Sequence, residues 1–87
     1  MYYPTFPETW FELFEKLEIE LKDRISKKIR KILEFPQKRH LRKGLDYFVD
    51  QAGQYRIVYQ VIEEQNEIRF FFVGNHKEYE KWFKRFF

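Results

Sequence analysis

The alternation of apolar and polar positions in the second half of the chain predicts a β-hairpin. Apolar or aromatic residues occupy every second position from Tyr55 to Val61, as in a half-buried strand. The segment from Ile68 to Val73 is apolar at nearly every position, which predicts a strand covered on both faces. The polar residues from Glu63 to Glu67 predict the loop between these strands, and Gly74 and Asn75 end the second one.

The first third of the chain has a helical period. Tyr2 to Phe6 is short and aromatic, and Pro4 and Pro7 exclude a helix interior, so we predict a short strand beside the hairpin. Apolar residues then recur at spacings of three, four and seven: Trp10, Phe14, Leu17, Leu21, Ile25, Ile32. This pattern is too long for one helix in a small domain, so it predicts a helical hairpin that breaks near residues 18–20. The second helix runs from about Leu21 to Phe35.

The remaining segments complete an α+β order. A strand is predicted from Leu45 to Asp50, followed by a turn at residues 51–53. The segment from His76 to Phe87 has aromatic residues at helical spacing and predicts a final helix. The predicted order is β-α-α-β-β-β-α, in one domain that spans residues 1–87. We expect a mainly antiparallel sheet with the N-terminal helical hairpin on one face and the C-terminal helix after it.

Composition limits the chemistry. The 87 residues include no cysteine, which excludes disulfides and thiolate zinc sites. The two histidines are far apart and lie near no cluster of carboxylates, so we predict neither a metal site nor a cofactor. The chain contains no apolar run of the length that crosses a membrane. A soluble, cytoplasmic protein is therefore expected.

Charge is distributed unevenly. Residues 1–20 have a balance of −4, residues 21–44 of +8 and residues 45–87 of −1. A basic block of this density is typical of nucleic-acid binders, but a solvated helix face explains it equally well. Its helical part faces either phosphates or an acidic partner. In the basic loop QKRHLRKG, four side chains are predicted to bind phosphate: Lys38, Arg39, Arg42 and Lys43.

Three residues are candidates for the chemistry of metal-independent RNA cleavage. This reaction needs a base for the ribose 2′-OH, cations for the phosphate and an acid for the leaving oxygen. Histidine suits acid and base roles, and arginine suits phosphate. The candidates are Arg56, His76 and His40. Each has a simpler interpretation: a cross-strand ion pair for Arg56, a helix cap or a solvent-exposed residue for His76, and no role for His40.

The aromatic residues of the last helix are too numerous for a single inward stripe. Tyr79 and Trp82 belong to this set and are candidates for stacking on nucleotide bases. A docking site for a partner and simple core packing remain alternatives.

Three motifs resemble a known superfamily. The strand GQYRIVYQVIEE resembles the arginine-bearing strand of RelE/ParE toxins, usually Tyr-Arg-x-x-Tyr after a short turn. The segments HLRKGLDYFVDQAGQYRIVY and FFFVGNHKEYEKW are similar to a RelE/HigB-type branch. The resemblance covers nearly the whole chain. It implies a toxin of a type II toxin-antitoxin system. RelE-like members cleave messenger RNA in the ribosomal A site, whereas ParE-like members inhibit DNA gyrase.

The resemblance implies roles for individual positions. Arg56 stands at the arginine that contacts the scissile phosphate in the nucleases, and His76 stands where they carry an arginine after the strand-ending glycine. Trp82 stands at a tyrosine near the C-terminus of RelE, with Tyr79 one turn earlier. The two lysines that RelE carries on the preceding strand have no counterpart, because Tyr47 and Val49 fall at about those places.

The resemblance also implies partners. An acidic antitoxin that folds on binding would form a hetero-oligomer with the toxin. The substrate would be messenger RNA in the ribosomal A site, with ribosomal RNA as a further contact. We predict an mRNA endonuclease that blocks translation. The histidine after the glycine and the basic loop favour this function, and the missing lysines favour the alternative of a non-catalytic inhibitor of DNA gyrase.

Overall fold

The computed structural model of the protein describes residues 1–36 and 47–86. Within these residues, four strands and three α-helices follow one another in the predicted order β-α-α-β-β-β-α. Their bounds are β1 (Tyr3–Thr5), α1 (Glu8–Glu15), α2 (Ile19–Glu34), β2 (Tyr47–Ala52), β3 (Tyr55–Ile62), β4 (Glu67–Asn75) and α3 (His76–Phe86). The predicted α+β fold is confirmed.

The strands form one open sheet in the order β1-β4-β3-β2. Strand β3 is antiparallel to both β2 and β4. The short β1 adds to the other side of β4 and runs parallel to it, which confirms the predicted strand beside the hairpin. The sheet is therefore mainly antiparallel, with β3 and β4 in its centre.

The two faces of the sheet are covered by different helices. We call the face that packs against α1 and α2 the inner face and the opposite one the outer face. The core of the inner face consists of buried residues from both layers: Trp10, Ile25, Ile29, Ile32, Leu33, Ala52, Ile57, Tyr59, Ile68, Phe70 and Val73. On the outer face, the buried Phe72 contacts Tyr79 and Trp82 of α3.

The break in the helical hairpin lies slightly earlier than predicted. Helix α1 ends at Glu15 and α2 begins at Ile19, so the predicted break at residues 18–20 is wrong by about one half-turn. Glu18 precedes α2 in an extended conformation and makes no side-chain capping hydrogen bond. Because neither glycine nor proline marks the break, only the backbone geometry locates it. Helix α2 ends at Glu34, just before Phe35 and Pro36.

The turn between β2 and β3 is shorter than predicted. Gln51 and Ala52 pair with Arg56 and Tyr55, so the predicted turn at residues 51–53 is wrong in its first two residues. Gly53 has a φ of +63°, a conformation that glycine adopts without steric cost. The strand predicted to start at Leu45 is described only from Tyr47 onward, where β2 runs to Ala52.

The loop between β3 and β4 is shorter than predicted. It consists of a 3₁₀ turn at Glu63–Gln65 and of Asn66, whereas Glu67 already belongs to β4. Asn66 takes a left-handed conformation with a φ of 53°, and its side chain donates a hydrogen bond to the carbonyl oxygen of Met1. The loop therefore also fixes the N-terminus.

Strand β4 contains a bulge that places Phe70 and Phe72, which are two positions apart, on opposite faces of the sheet. Val58 pairs with Phe72, but Tyr59 pairs with Phe70, so Phe71 has no partner on β3. Phe70 lies in the inner core, while Phe72 contacts α3. The predicted coverage of this strand on both faces is confirmed. An added residue of this kind bends a strand and re-aims its side chains.

Candidate functional site

Arg56 lies on the outer face of the sheet, near the start of β3. It stands opposite Gln51 of β2 and Gly74 of β4, and its side chain is half-buried. The guanidinium carbon lies 4.9 Å from the centroid of the Tyr79 ring, which is the distance of a cation-π contact. The arginine strand and the C-terminal helix therefore meet at one point.

The cross-strand ion pair considered for Arg56 is not formed within residues 1–36 and 47–86. Its strand partners carry an amide and a hydrogen in place of a side chain. The acid next to Gln51, Asp50, has an oxygen 3.3 Å from the ammonium of Lys28 on α2. The charge of Arg56 is thus not neutralised by a carboxylate in this part of the chain.

His76 is the first residue of α3, at the same end of the β3-β4 ladder as Arg56. Its Nε2 lies 2.7 Å from a carboxylate oxygen of Glu80, one turn later. Because a carboxylate only accepts, Nε2 must carry the hydrogen, and Nδ1 of the neutral ring is left as an acceptor. The side chain of His76 is exposed. A nitrogen that can accept a proton is therefore accessible from solvent.

The helix cap considered for His76 belongs to its neighbour, Asn75. The backbone N–H of Glu78 donates to Asn75 Oδ1 at 2.9 Å, and the backbone N–H of Asn75 donates to Glu78 Oε1 at 2.9 Å. This reciprocal arrangement is a capping box. The sequence contains its signal, Asn-His-Lys-Glu, directly after the strand-ending glycine. The cap leaves the imidazole of His76 out of the helix-terminal hydrogen bonds.

Tyr79, which borders Arg56, belongs to a cluster of aromatic side chains on α3. Trp82 stacks on Phe72 with ring centroids 5.2 Å apart, and Tyr79 contacts Trp82 and Phe83. Phe86 is 61% exposed, which confirms that the set is too large for one inward stripe. A cleft of about 320 Å³ lies beside Trp82 and is lined by Thr9, Tyr47, Phe71, Trp82 and Phe86.

Tyr47 and Val49 belong to β2, where the resemblance places two lysines. Val49 pairs with Val58 and both lie two positions from the Gln51-Arg56 pair. Side chains two positions apart share a face of a strand, so Tyr47 and Val49 share the outer face with Arg56. Tyr47 contacts the ring of Phe71 at 5.2 Å. Tyr47 and Val49 therefore place an aromatic and an aliphatic side chain on the face that carries Arg56.

The five other candidates lie outside the described residues. They are Lys38, Arg39, His40, Arg42 and Lys43.

On α2, three of the six basic side chains have an acidic partner. Lys22 pairs with Glu15, Lys27 with Asp23 and Lys28 with Asp50. The exposed residues Arg24, Arg30 and Lys31 have no such partner among residues 1–36 and 47–86.

Two shifted pKa values lie at the opposite end of the β3-β4 hairpin. The hydroxyl of Tyr2 donates to Glu63, and this hydrogen bond raises the pKa of Tyr2. Hydrogen bonds from Arg69 and Thr5 lower the pKa of Glu67. These contacts tie β1 to the loop end of the sheet, so they serve the fold and not the candidate site.

Two further properties concern the part of the chain that the structure describes. It holds no group of three or more His, Cys, Asp or Glu side chains that are placed to bind a metal ion. None of its helices has the length and apolar character needed to cross a membrane.

Comparisons with known proteins agree with the fold and the strand motif. A family model described as "ParE toxin of type II toxin-antitoxin system, parDE" matches residues 2–79. No curated protein matches the sequence. Among solved structures, the isolated RelE toxin of E. coli is similar, with 28% identity, a TM-score of 0.76 and coverage of 100% of both chains.

Two toxin-antitoxin complexes contain similar chains. One chain of the intact E. coli RelBE complex is 29% identical, with a TM-score of 0.76 and coverage of 86% of this protein and 96% of that chain. One chain of the RelBE2 complex of Mycobacterium tuberculosis is 19% identical, with a TM-score of 0.76 and coverage of 86% and 98%. The latter similarity concerns the fold alone.

The open sheet, the helical hairpin on its inner face and the arginine on its outer face define a small α+β domain of the RelE type. The chain belongs to the ParE toxin family, within the RelE/ParE superfamily, and is a toxin of a type II toxin-antitoxin system. The superfamily predicted from the sequence motifs is confirmed.

Proposed function

We propose that the protein is a metal-independent endonuclease that cleaves messenger RNA in the A site of the translating ribosome and so blocks translation. The observation that carries the proposal is the guanidinium of Arg56 on the outer face, which has no carboxylate partner among residues 1–36 and 47–86 and is held over the Tyr79 ring. An arginine without a carboxylate partner keeps its planar set of donors for a phosphate. In the proposed reaction Arg56 binds the scissile phosphate and stabilises its growing negative charge.

The proposed cleavage is an internal transfer at phosphorus. A base takes the proton of the ribose 2′-OH, the 2′-oxygen bonds to phosphorus, and the bond from phosphorus to the 5′-oxygen breaks. An acid then donates a proton to that oxygen, which leaves a 2′,3′-cyclic phosphate and a 5′-hydroxyl. We assign proton transfer to His76, whose Nδ1 is available as an acceptor because Nε2 donates to Glu80. His40 is our candidate for the second proton-transfer group.

Other candidates would bind the substrate without taking part in the chemistry. Lys38, Arg39, Arg42 and Lys43 belong to a loop with one sign of charge, which suits contacts with phosphates of messenger and ribosomal RNA. Tyr79 borders Arg56 and contacts Trp82 on α3, and Trp82 also lines a cleft. We propose that they contact the nucleotides on either side of the scissile phosphate.

We further propose that a cognate acidic antitoxin inhibits the toxin in the cytoplasm and forms a hetero-oligomer with it. Similar chains occur in solved toxin-antitoxin complexes. An acidic partner also fits Arg24, Arg30 and Lys31, three exposed cations of α2 without an acidic partner in residues 1–36 and 47–86.

A second function, inhibition of DNA gyrase without catalysis, is favoured by two observations. The family model that matches is that of ParE toxins. Tyr47 and Val49 also place apolar side chains on β2, where cations would otherwise assist phosphoryl transfer. In this alternative Arg56 would contact the partner enzyme instead of RNA.

Two reactions with the purified toxin separate these functions. In the first, ribosomes that carry a defined message are incubated with toxin, and primer extension locates breaks in the message. In the second, gyrase supercoils a relaxed plasmid in the presence of the same toxin concentrations. Breaks within the A-site codon and normal supercoiling support the nuclease. Intact message together with inhibited supercoiling would replace it by the alternative.

A further inference from the structure

A phosphate-binding arginine must be held in place without losing its charge or its donors. A carboxylate would immobilise the side chain, but it would also occupy the donors that the phosphate needs. Around Arg56 the strands supply an amide, from Gln51, and a glycine, Gly74. The orientation of the guanidinium must therefore come from another kind of contact.

The ring of Tyr79 supplies such a contact. The guanidinium carbon of Arg56 lies over the ring, 4.9 Å from its centroid. In a cation-π contact the positive group sits on the π-face, and the N–H donors of the guanidinium are not consumed. The contact therefore restrains Arg56 while its donors stay available for an anion.

The position of the Tyr79 ring is in turn fixed by the sheet. Its centroid lies 6.3 Å from that of Phe72, which is only 3% exposed. Phe72 takes its position because Gly74, two residues later, has no side chain. A Cβ atom at Gly74 would lie 2.6 Å from the Phe72 ring and 3.1 Å from Glu78 Cβ. A chain of contacts thus runs from the strand-ending glycine through Phe72 and Tyr79 to Arg56.

We propose that Tyr79 is the positioning residue for Arg56, and that its ring orients the guanidinium for phosphate before the substrate arrives. This proposal rests on the proposed function for the role of the phosphate, but the restraint on Arg56 is a property of the free protein. Tyr79 acts through its ring and not through its hydroxyl, so phenylalanine should replace it.

The restraint can be measured directly in the free, full-length toxin. NMR order parameters of the arginine Nε–H groups are compared in the wild type, Tyr79→Phe and Tyr79→Leu. Leucine retains apolar bulk but has no π-face. Phe86→Leu is the control, since Phe86 is also an aromatic residue of α3 and its ring contacts that of Trp82, whereas Arg56 stacks on Tyr79. Only Tyr79→Leu should make the Arg56 side chain mobile. An unchanged Arg56 order parameter in Tyr79→Leu would overturn the proposal.

The consequence for chemistry is measured as single-turnover cleavage of ribosome-bound message. Tyr79→Leu should cleave on the order of tenfold more slowly than wild type, while Tyr79→Phe stays within about twofold. In an Arg56→Ala background, Tyr79→Leu should slow cleavage by a smaller factor than it does in the wild type, because there is no guanidinium left to orient and only the contact of Tyr79 with nucleotides is lost.

The two proposals fail in different ways. If Arg56→Ala abolishes cleavage but Tyr79→Leu cleaves like Tyr79→Phe, the positioning role of Tyr79 is wrong and the proposed function stands. If Arg56→Ala cleaves like the wild type, the assignment of Arg56 as the phosphate-binding residue is wrong, and if the wild-type toxin leaves the message intact, the proposed function is wrong. In either case, an Arg56 side chain that becomes mobile only in Tyr79→Leu still supports the restraint by Tyr79. An Arg56 order parameter that is unchanged in Tyr79→Leu refutes it.

Discussion

Two lysines of α2, one residue apart, form ion pairs that differ in burial. Lys28 pairs with Asp50 of β2, whose side chain is 8% exposed, while Lys27 pairs with Asp23, which is 66% exposed. Exposed pairs contribute little because water screens them and both side chains lose rotamer freedom. A buried carboxylate that loses its partner is costly, since among residues 1–36 and 47–86 only the backbone N–H of Gln51 would then donate to Asp50 Oδ1. The Lys28 pair also ties the helical hairpin to the sheet.

We therefore predict unequal effects of removing the two ammonium groups. Lys28→Met should lower the free energy of unfolding by about 1–3 kcal/mol. Lys27→Met, which changes the net charge equally, should lower it by less than about 0.5 kcal/mol. Urea unfolding at neutral pH measures both. Equal effects of the two substitutions would show that the Lys28-Asp50 pair does not contribute through burial.

At the scale of single residues, the sequence identifies the candidate residues better than it predicts which of them contact one another. The strand motif identifies Arg56, and the structure puts it on the outer face beside the helix that carries His76. The contact between Arg56 and Tyr79 has no sequence signal, because it joins a strand to a helix through tertiary packing. The roles of Arg56, His76 and His40 in catalysis stay predictions.

At the scale of elements, α3 depends on its ends and on one partly buried stripe. None of its residues is fully buried, so tertiary packing stabilises it less than α2, which buries four residues. Its N-terminus is closed by the reciprocal hydrogen bonds between Asn75 and Glu78. The cap therefore contributes to holding His76 and Tyr79 in place.

We predict that Asn75→Ala loosens α3. Loss of a capping residue costs about 1 kcal/mol, and here the effect should be local, as faster hydrogen exchange of the α3 amides. Lys77→Ala is the control, because Lys77 is exposed in the same turn and its side chain makes no hydrogen bond among residues 1–36 and 47–86. Unchanged exchange in Asn75→Ala would mean that packing on Phe72 alone maintains the helix.

The order of the elements could be predicted from the sequence, but their limits could not. Period-2 and period-3.6 patterns distinguish strands from helices over most of the chain. The predicted break between α1 and α2 differs from the observed one because apolar residues keep a helical spacing on both sides of it. The bulge at Phe71 was not predictable, since three consecutive phenylalanines give no alternation from which to read a register.

At the scale of the whole molecule, charge is distributed unevenly along the chain. Residues 21–44 have a balance of +8, against −4 for residues 1–20. On α2 the paired lysines reduce this field locally, and Arg24, Arg30 and Lys31 have no acidic partner in residues 1–36 and 47–86. An acidic partner would be attracted to these three cations from a distance of about a Debye length, roughly 8 Å at physiological salt.

We predict that this attraction controls the rate at which the antitoxin binds. Arg30→Glu combined with Lys31→Glu should lower the association rate constant on the order of tenfold and raise the dissociation rate constant less. Lys16→Glu combined with Lys77→Glu changes the net charge equally at exposed positions outside α2, and should have a smaller effect. Surface binding at two salt concentrations measures both rates. Equal effects of the two double variants would mean that net charge alone, and not the α2 surface, guides association.

The most direct test of the proposed function compares two arginines on the two central strands of the sheet. Arg56 has no acidic partner in residues 1–36 and 47–86, whereas Arg69 pairs with Glu67 at 2.7 Å. Each is replaced by alanine, and the rate at which purified toxin cleaves ribosome-bound message is measured under single-turnover conditions. Arg56→Ala should cleave at least about 100-fold more slowly than wild type, and Arg69→Ala should stay within about threefold of it. Wild-type cleavage by Arg56→Ala would contradict the assignment of Arg56 as the phosphate-binding residue, and intact message with the wild-type toxin would contradict the nuclease itself.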